Sequence, residues 1–170
     1  MDSKSKVRNW VKEERKKLDI ESLSVKLVLE LKKTKEYQNA KNVLLFYPLE
    51  NEINLLSLLE DESKNFYLPK IDGKNLLCCP YKKGDDLCES CFKTKEPLSE
   101  PTTKSLIDLV ILPALAVDKN NYRLGYGGGF YDRFLADAKV FKIVCLPKVF
   151  YLDTIFPEEN DIPVDKVILT

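Results

Sequence analysis

The sequence of 170 residues contains no histidine. That absence excludes a Ser-His-Asp triad, a Cys-His dyad and a zinc site with His ligands. Acid–base or phosphate chemistry must then come from Asp, Glu, Lys, Arg, Tyr, Cys, backbone amides or a bound metal. Net charge is missing too, since 27 Lys and Arg balance 27 Asp and Glu. Without a positive field, binding to nucleic acid or to a membrane surface is not expected, while a small anion site stays open. No run of about 18 apolar residues occurs, so no membrane span is expected. The opening MDSKSKVRNWVKEERKK holds no apolar stretch of the signal-peptide kind. The five cysteines are odd in number. A cytoplasmic protein with reduced thiols is the expectation.

What is present suits a soluble domain: 44% hydrophobic and 32% charged residues. One domain over 1–170 can bury about 70% of its unfolded surface without disulfides or a structural metal. Residues 5–17 alternate basic and acidic positions, with Val7, Trp10 and Val11 on one side, and predict a helix. Residues 20–35 predict a second, with Asp19 as N-cap. Asn42 to Tyr47 is a continuous apolar run ended by Pro48, the pattern of a buried parallel strand. A helix is expected over 53–62. Strands follow at Asn65 to Pro69 and Asn75 to Tyr81. Residues 82–105 are polar and turn-rich and predict a surface excursion. Ile107 to Pro113 is the strongest buried strand. A helix over Phe130 to Asp137 and strands at Phe141 to Leu146 and Val164 to Leu169 complete the chain. The order predicts an α/β protein with a mainly parallel sheet and helices on both faces.

Cys78, Cys79, Cys88 and Cys91 supply four thiols within a short span. The first pair is adjacent, and adjacent strand residues point to opposite faces. A four-thiol metal site is therefore disfavoured against a half-buried strand followed by a loop.

Glycine is scarce, six in all, yet four stand together at Gly125, Gly127, Gly128 and Gly129. The segment reads Arg123-Leu124-Gly125-Tyr126-Gly127-Gly128-Gly129-Phe130-Tyr131-Asp132. It predicts unusual torsions or close approach by a ligand. A glycine turn leading into a helix offers free amides, which suit phosphate. Arg123 can clamp an anion, Asp132 can hold a metal bridging phosphate oxygens, and Tyr126 and Tyr131 add aromatic surface and hydroxyls. No GKS or GKT follows, and GYGGG is not GxGxxG, so neither common nucleotide motif applies. A sugar-phosphate isomerase and a non-catalytic nucleotide-binding regulator are alternatives on the residues alone.

RLGYGGGFYDRFL, preceded by DLVILPALAVD, resembles the signature of the 5-formyltetrahydrofolate cyclo-ligase family. The resemblance extends to Lys4-Ser5-Lys6-Val7-Arg8, to the strand and acidic turn ending Glu50-Asn51-Glu52-Ile53, to Leu68-Pro69-Lys70 and to the turn Glu159-Asn160-Asp161. It implies an open, Rossmann-like α/β fold. It also implies an ATP- and Mg²⁺-dependent conversion of 5-formyltetrahydrofolate to 5,10-methenyltetrahydrofolate, through a phosphorylated formyl group. A monomer is expected. By resemblance, ATP falls to Lys4, Arg8, Arg123, Leu124, Gly125, Tyr126, Gly127, Gly128, Gly129, Phe130 and Tyr131. The folate falls to Arg8, Tyr47, Glu52, Tyr126, Gly127, Gly128, Gly129 and Phe130, with the Glu52 carboxylate on the ring N–H donors. Arg123, Tyr131 and Asp132 are the expected catalytic residues, and Asp132 and Asp161 the metal ligands. Lys70 is a further phosphate candidate; Asp118 and Asp165 are expected to be turn or cap residues. Lys12, Arg15 and Lys16 are expected on a solvated basic face. Ala114, Asn121, Phe130 and Asn160 depart from the family's usual Gly, Gly, Tyr and His.

Overall fold

The computed structural model describes residues 1–170. Helices α1 (Lys4–Arg15), α2 (Ile20–Lys32) and α3 (Lys35–Asn39) precede strand β1 (Asn42–Leu44). Strands β2 (Asn65–Asp72) and β3 (Asn75–Pro80) pair as a hairpin, as do β4 (Leu87–Glu89) and β5 (Lys95–Pro97). Next come β6 (Leu109–Leu112), β7 (Ala116–Asp118), β8 (Arg123–Leu124), α4 (Phe130–Leu135), β9 (Phe141–Leu146), β10 (Tyr151–Leu152) and β11 (Lys166–Leu169). The main sheet runs β11-β9-β6-β1-β2-β3. Every neighbouring pair in it is parallel except β2 with β3. The architecture is mixed α/β with a mostly parallel central sheet. A smaller sheet, β10-β7-β8, lies beside it.

Leu-Val-Ile-Leu of β6 is buried throughout, as a central parallel strand requires. Successive side chains enter different clusters. Val110 and Leu112 pack with Val7 and Val11 of α1 and with Phe134 and Leu135 of α4. Leu109 and Ile111 pack with Leu27, Val28 and Leu31 of α2 and with Tyr37 of α3. Local chemistry sets the helix starts. Ser3 accepts from the Lys6 amide, Asp19 from Ser22 and Thr34 from Tyr37, each satisfying an otherwise unpaired N–H.

Several expectations shift. The helix expected over 20–35 stops at Lys32, and Thr34 caps a new one. The apolar run 42–47 pairs as a strand only to Leu44, although Leu45 and Phe46 stay buried. The helix expected over 53–62 is a short 3-10 turn, Leu56–Glu60. Ile53, Leu55 and Leu58 are the buried positions there, a spacing of two and three rather than three and four. The Asn54 carboxamide also accepts from the Leu56 amide at 2.9 Å, closing a turn in place of a helical start. The stretch 82–105 is mostly exposed but is not a bare excursion. Its hairpin buries Glu96 and Pro97, and Glu96 accepts from the Ile71 amide of β2 at 2.7 Å. Arg15 is the clearest reversal. It follows Val7 and Val11 at helical spacing, lies on the buried face of α1 and is 5% exposed.

Candidate active site

β1 and β6 run parallel, with Leu44 at the end of β1 beside Val110 and β6 continuing to Leu112. Ligands of open α/β sheets gather beyond such carboxyl ends. The chain leaving β1 carries Tyr47 and Glu52; the chain leaving β6 turns at Pro113 into the small sheet. Asp118 stabilises that sheet's turn. Fully buried, it accepts from the amides of Asn120, Tyr122 and Ile155 at 3.0, 3.1 and 3.2 Å. The glycine segment then emerges from β8 with its start pinned: Arg8 Nε donates to the Gly125 carbonyl at 2.9 Å.

The segment's glycines serve two needs. Gly127 takes φ +107°, and Gly129 is also in the positive-φ region, which a side chain opposes. Gly128 has an ordinary φ; there a Cβ would stand 2.6 Å from the Phe130 ring. Phe130 in turn meets Phe92 edge-on, with ring centroids 5.4 Å apart.

Two cavities of about 420 and 400 Å³ lie against this segment. Pro113, Tyr126, Gly128, Phe130 and Tyr131 line both. The first cavity is polar. Lys4, Arg8 and Arg123 face Asp132, Glu158 and Asp161 there, with Leu124 and the four glycines between. Lys4 Nζ is 2.5 Å from Asp161 and 3.2 Å from Glu158. Asp132 lies 4.0 Å from Arg123 and accepts from the Ile162 amide at 3.2 Å. Arg123 is buried; Nη1 donates to the Pro113 carbonyl at 2.8 Å, while Nε has no partner. Its guanidinium carbon stands 5.4 Å from the centre of the Tyr131 ring. Burial draws the Arg123 pKa down, against the charge of Asp132. A buried cation with an unused donor favours an anion beside it. No three carboxylates or thiols converge on a metal position. The cavity does offer the two carboxylates Asp132 and Asp161, hard-oxygen donors of the kind Mg²⁺ takes.

The second cavity is largely apolar, walled by Phe46, Tyr47, Ile71, Leu76, Phe92 and Phe130, with Glu52 as its one carboxylate. Glu52 is 5% exposed. Its two oxygens accept from the Leu49 amide at 2.9 Å and from the Tyr126 hydroxyl at 3.0 Å. Burial pushes its pKa up, opposed by the Leu49 hydrogen bond, Arg15, Tyr126 and Arg123. A flat, apolar compartment with one buried carboxylate suits a heteroaromatic ring bearing N–H donors.

The structure thus gathers Lys4, Arg8, Arg123, Asp132 and Asp161 at one cavity and Tyr47 and Glu52 at the other. Lys70 lines neither. Asp165 is a turn residue that accepts from the Lys142 amide at 2.8 Å and pairs with its ammonium group. Glu158, Phe92 and Thr94 border the cavities without having been singled out in the sequence. Glu158 carries a signal, being part of the acidic turn with Asp161; Phe92 and Thr94, inside a polar stretch, carry none.

Comparison with known proteins agrees with the resemblance carried by the glycine segment. The sequence is 32% identical over 109 residues to a 5-formyltetrahydrofolate cyclo-ligase of Haemophilus influenzae, covering 59% of this chain and 58% of that protein. It is 32% identical over 112 residues to one of Escherichia coli K12, covering 61% and 62%. The chain therefore spans about three fifths of the length of these curated relatives in the matched regions. The fold is similar to that of a 5,10-methenyltetrahydrofolate synthetase of Aquifex aeolicus. That likeness has a TM-score of 0.86 at 30% identity and covers 98% of this chain and 89% of the other. The sequence model of the 5-formyltetrahydrofolate cyclo-ligase family matches residues 1–170. With a glycine segment walling both a polar and an apolar cavity, and a match along its full length, the chain belongs to the 5-formyltetrahydrofolate cyclo-ligase family.

Proposed function

We propose that the protein converts 5-formyltetrahydrofolate and ATP to 5,10-methenyltetrahydrofolate, ADP and phosphate, with Mg²⁺. One observation above all supports this reading: the glycine segment is a common wall of a polar and an apolar cavity. A triphosphate in the first and a pterin in the second bring the γ-phosphate and the formyl group together at that wall. Such alignment removes most of the entropic barrier to a two-substrate step.

The reaction follows from those placements. The formyl oxygen attacks the γ-phosphorus, an O–P bond forms, and the bond to ADP breaks. The N5 lone pair makes the phosphorylated carbon an iminium. N10 attacks that carbon and loses its proton, phosphate leaves with the former formyl oxygen, and the amidinium of the product remains. Arg123, with its spare donor, and Arg8 hold phosphoryl charge; the amides of Gly125 and Gly127 to Gly129 line the same space. Glu52 accepts from the pterin's N–H groups, and Tyr47, Phe92 and Phe130 enclose the ring. Tyr131 borders both cavities, and burial raises its pKa, so its hydroxyl stays protonated as a donor at their junction. Asp132 and Asp161 are the residues that would hold Mg²⁺, which would supply neutralisation of phosphate charge. Lys4, paired with Asp161 in the ligand-free protein, would supply a cation for a phosphate oxygen in the same cavity. All these residues come from one chain, so a monomer suffices. The five free thiols, three of them buried, accord with a reducing cytosol.

The test is growth of methenyltetrahydrofolate absorbance on mixing protein, ATP, Mg²⁺ and 5-formyltetrahydrofolate. Omission of any one should abolish it. A heavy-oxygen label in the formyl group should appear in the released phosphate. Turnover without ATP, or unlabelled phosphate, would overturn the reading.

A further inference from the structure

Arg15 has no place in the reaction above, yet it is a buried charge with no carboxylate in contact. Its Nη1 donates to the Tyr126 hydroxyl at 2.8 Å, and its Nη2 donates to the Ala114 carbonyl. The guanidinium carbon is 6.0 Å from the centre of the Phe150 ring. Burying a guanidinium carries a desolvation cost that its hydrogen bonds must offset.

The direction of the hydrogen bonds is informative. A guanidinium only donates, so the Tyr126 oxygen is an acceptor toward Arg15. The hydroxyl has one proton, which is left for Glu52 Oε1 at 3.0 Å. Glu52 Oε2 accepts from the Leu49 amide. In this arrangement both carboxylate oxygens accept, the pattern that an ionised Glu52 satisfies in full. Without Arg15, the Tyr126 hydroxyl is free to turn and accept from a protonated Glu52.

We propose that Arg15 is a positioning residue for the folate site: its hydrogen bond turns the Tyr126 proton onto Glu52 and holds Glu52 as a fixed acceptor for the ring N–H groups. The inference rests on the reading of Glu52 as the pterin's partner. The charged and titratable groups facing Glu52 are Arg15 of α1, Tyr126 of the glycine segment, Arg123 of β8 and Tyr131 of α4. Burial pushes the Glu52 pKa up and Arg15 opposes that rise. Loss of Arg15 therefore lets Glu52 take a proton at higher pH.

The experiment measures 5-formyltetrahydrofolate affinity by calorimetry from about pH 6 to about pH 9 on wild type, Arg15→Met, Arg15→Lys, Tyr126→Phe and the double variant Arg15→Met/Tyr126→Phe. Arg15→Met should bind folate about tenfold more weakly at neutral pH and move the midpoint of the profile upward, with ATP affinity changed less than about twofold. Arg15→Lys, which keeps a charge and a donor, should recover most of the loss. Tyr126→Phe should lose folate affinity likewise, and the double variant should be no worse than the poorer single one. A pH-independent loss, or losses that multiply in the double variant, would overturn the inference. If Arg15→Met does not fold, Tyr126→Phe decides alone, and a profile superimposable on wild type refutes the relay. Glu52→Gln separates the two levels. Normal folate binding by Glu52→Gln removes the pterin reading itself; impaired binding beside an unperturbed Arg15→Met removes only the role of Arg15.

Discussion

Glu52 and Asp132 are both carboxylates beside the glycine segment, and their surroundings set them apart. Glu52 is buried, and burial holds its pKa above the ordinary 4.5. A raised folded-state pKa gives stability that is full below the unfolded pKa and is lost as pH rises through the folded value. The ionised form of Glu52 is thus a cost to the fold. Glu52→Gln should lose roughly 30- to 1000-fold in folate affinity, because its NH₂ group meets ring donors. Relative to wild type, the ligand-free variant should compare most favourably in melting temperature at neutral pH. That advantage should shrink as pH falls toward 4.5. Melting curves of both proteins across that range check the sign. Asp132 lies 4.0 Å from Arg123 at the polar cavity. Asp132→Asn keeps an acceptor for the Ile162 amide, so the fold should persist. Turnover at limiting Mg²⁺ should fall on the order of 10²-fold, because one of the two carboxylates proposed to hold the ion is lost. Steady-state rates against Mg²⁺ concentration measure it.

At the scale of elements, the glycine segment separates two effects that composition alone merges. Gly127 holds a positive φ, whereas Gly128 is small because the Phe130 ring lies against it. Gly127→Ala should cost about 1–2 kcal/mol in stability through backbone strain. Gly128→Val should drive the Phe130 ring from its place against Phe92 and disturb both cavities. Ligand affinities should then fall about 10²-fold while stability falls only about 1–3 kcal/mol. Adding Phe130→Leu to Gly128→Val should restore part of the ATP affinity. Thermal melts and titrations on the same preparations distinguish these outcomes. A Gly128→Val protein that melts far lower yet binds ATP normally would assign that glycine to packing alone.

For the whole molecule, the shared wall implies that the two ligands sense each other. A nucleotide that fixes the glycine segment also fixes Tyr126 and Phe130, which line the apolar cavity as well. A non-hydrolysable ATP analogue should therefore raise 5-formyltetrahydrofolate affinity by a factor of about 5 or more, and the folate should raise nucleotide affinity by the same factor. Calorimetric titrations in both orders test the reciprocity. Equal folate affinity with and without nucleotide would mean that the wall is rigid before either ligand binds.

Much of this protein was legible from local pattern. Apolar runs such as Leu109 to Leu112 marked buried strands because a strand covered on both sides has no polar face. Ser3, Asp19 and Thr34 sit where helix starts leave amides unpaired, though of the three the sequence pattern predicts only Asp19 as a cap. Four glycines interleaved with Arg123, Tyr126 and Asp132 mark the candidate site, because scarcity makes their clustering informative and all of them line one cavity. The tertiary structure decided the rest. Arg15 reads as one more basic residue beside Lys12 and Lys16. Only the packing of α1 against the strand ends sets it on Tyr126, 111 positions away in sequence. Phe92 stands in a polar, turn-rich stretch, and only the docking of its hairpin on β2 brings it over Phe130. The Tyr126–Glu52 bond joins residues 74 positions apart. Local sequence reports turns, caps and faces because those depend on neighbours a few residues away. Which charges end up buried together, and which walls two cavities share, depends on the packing of distant elements, and no short window of sequence contains it.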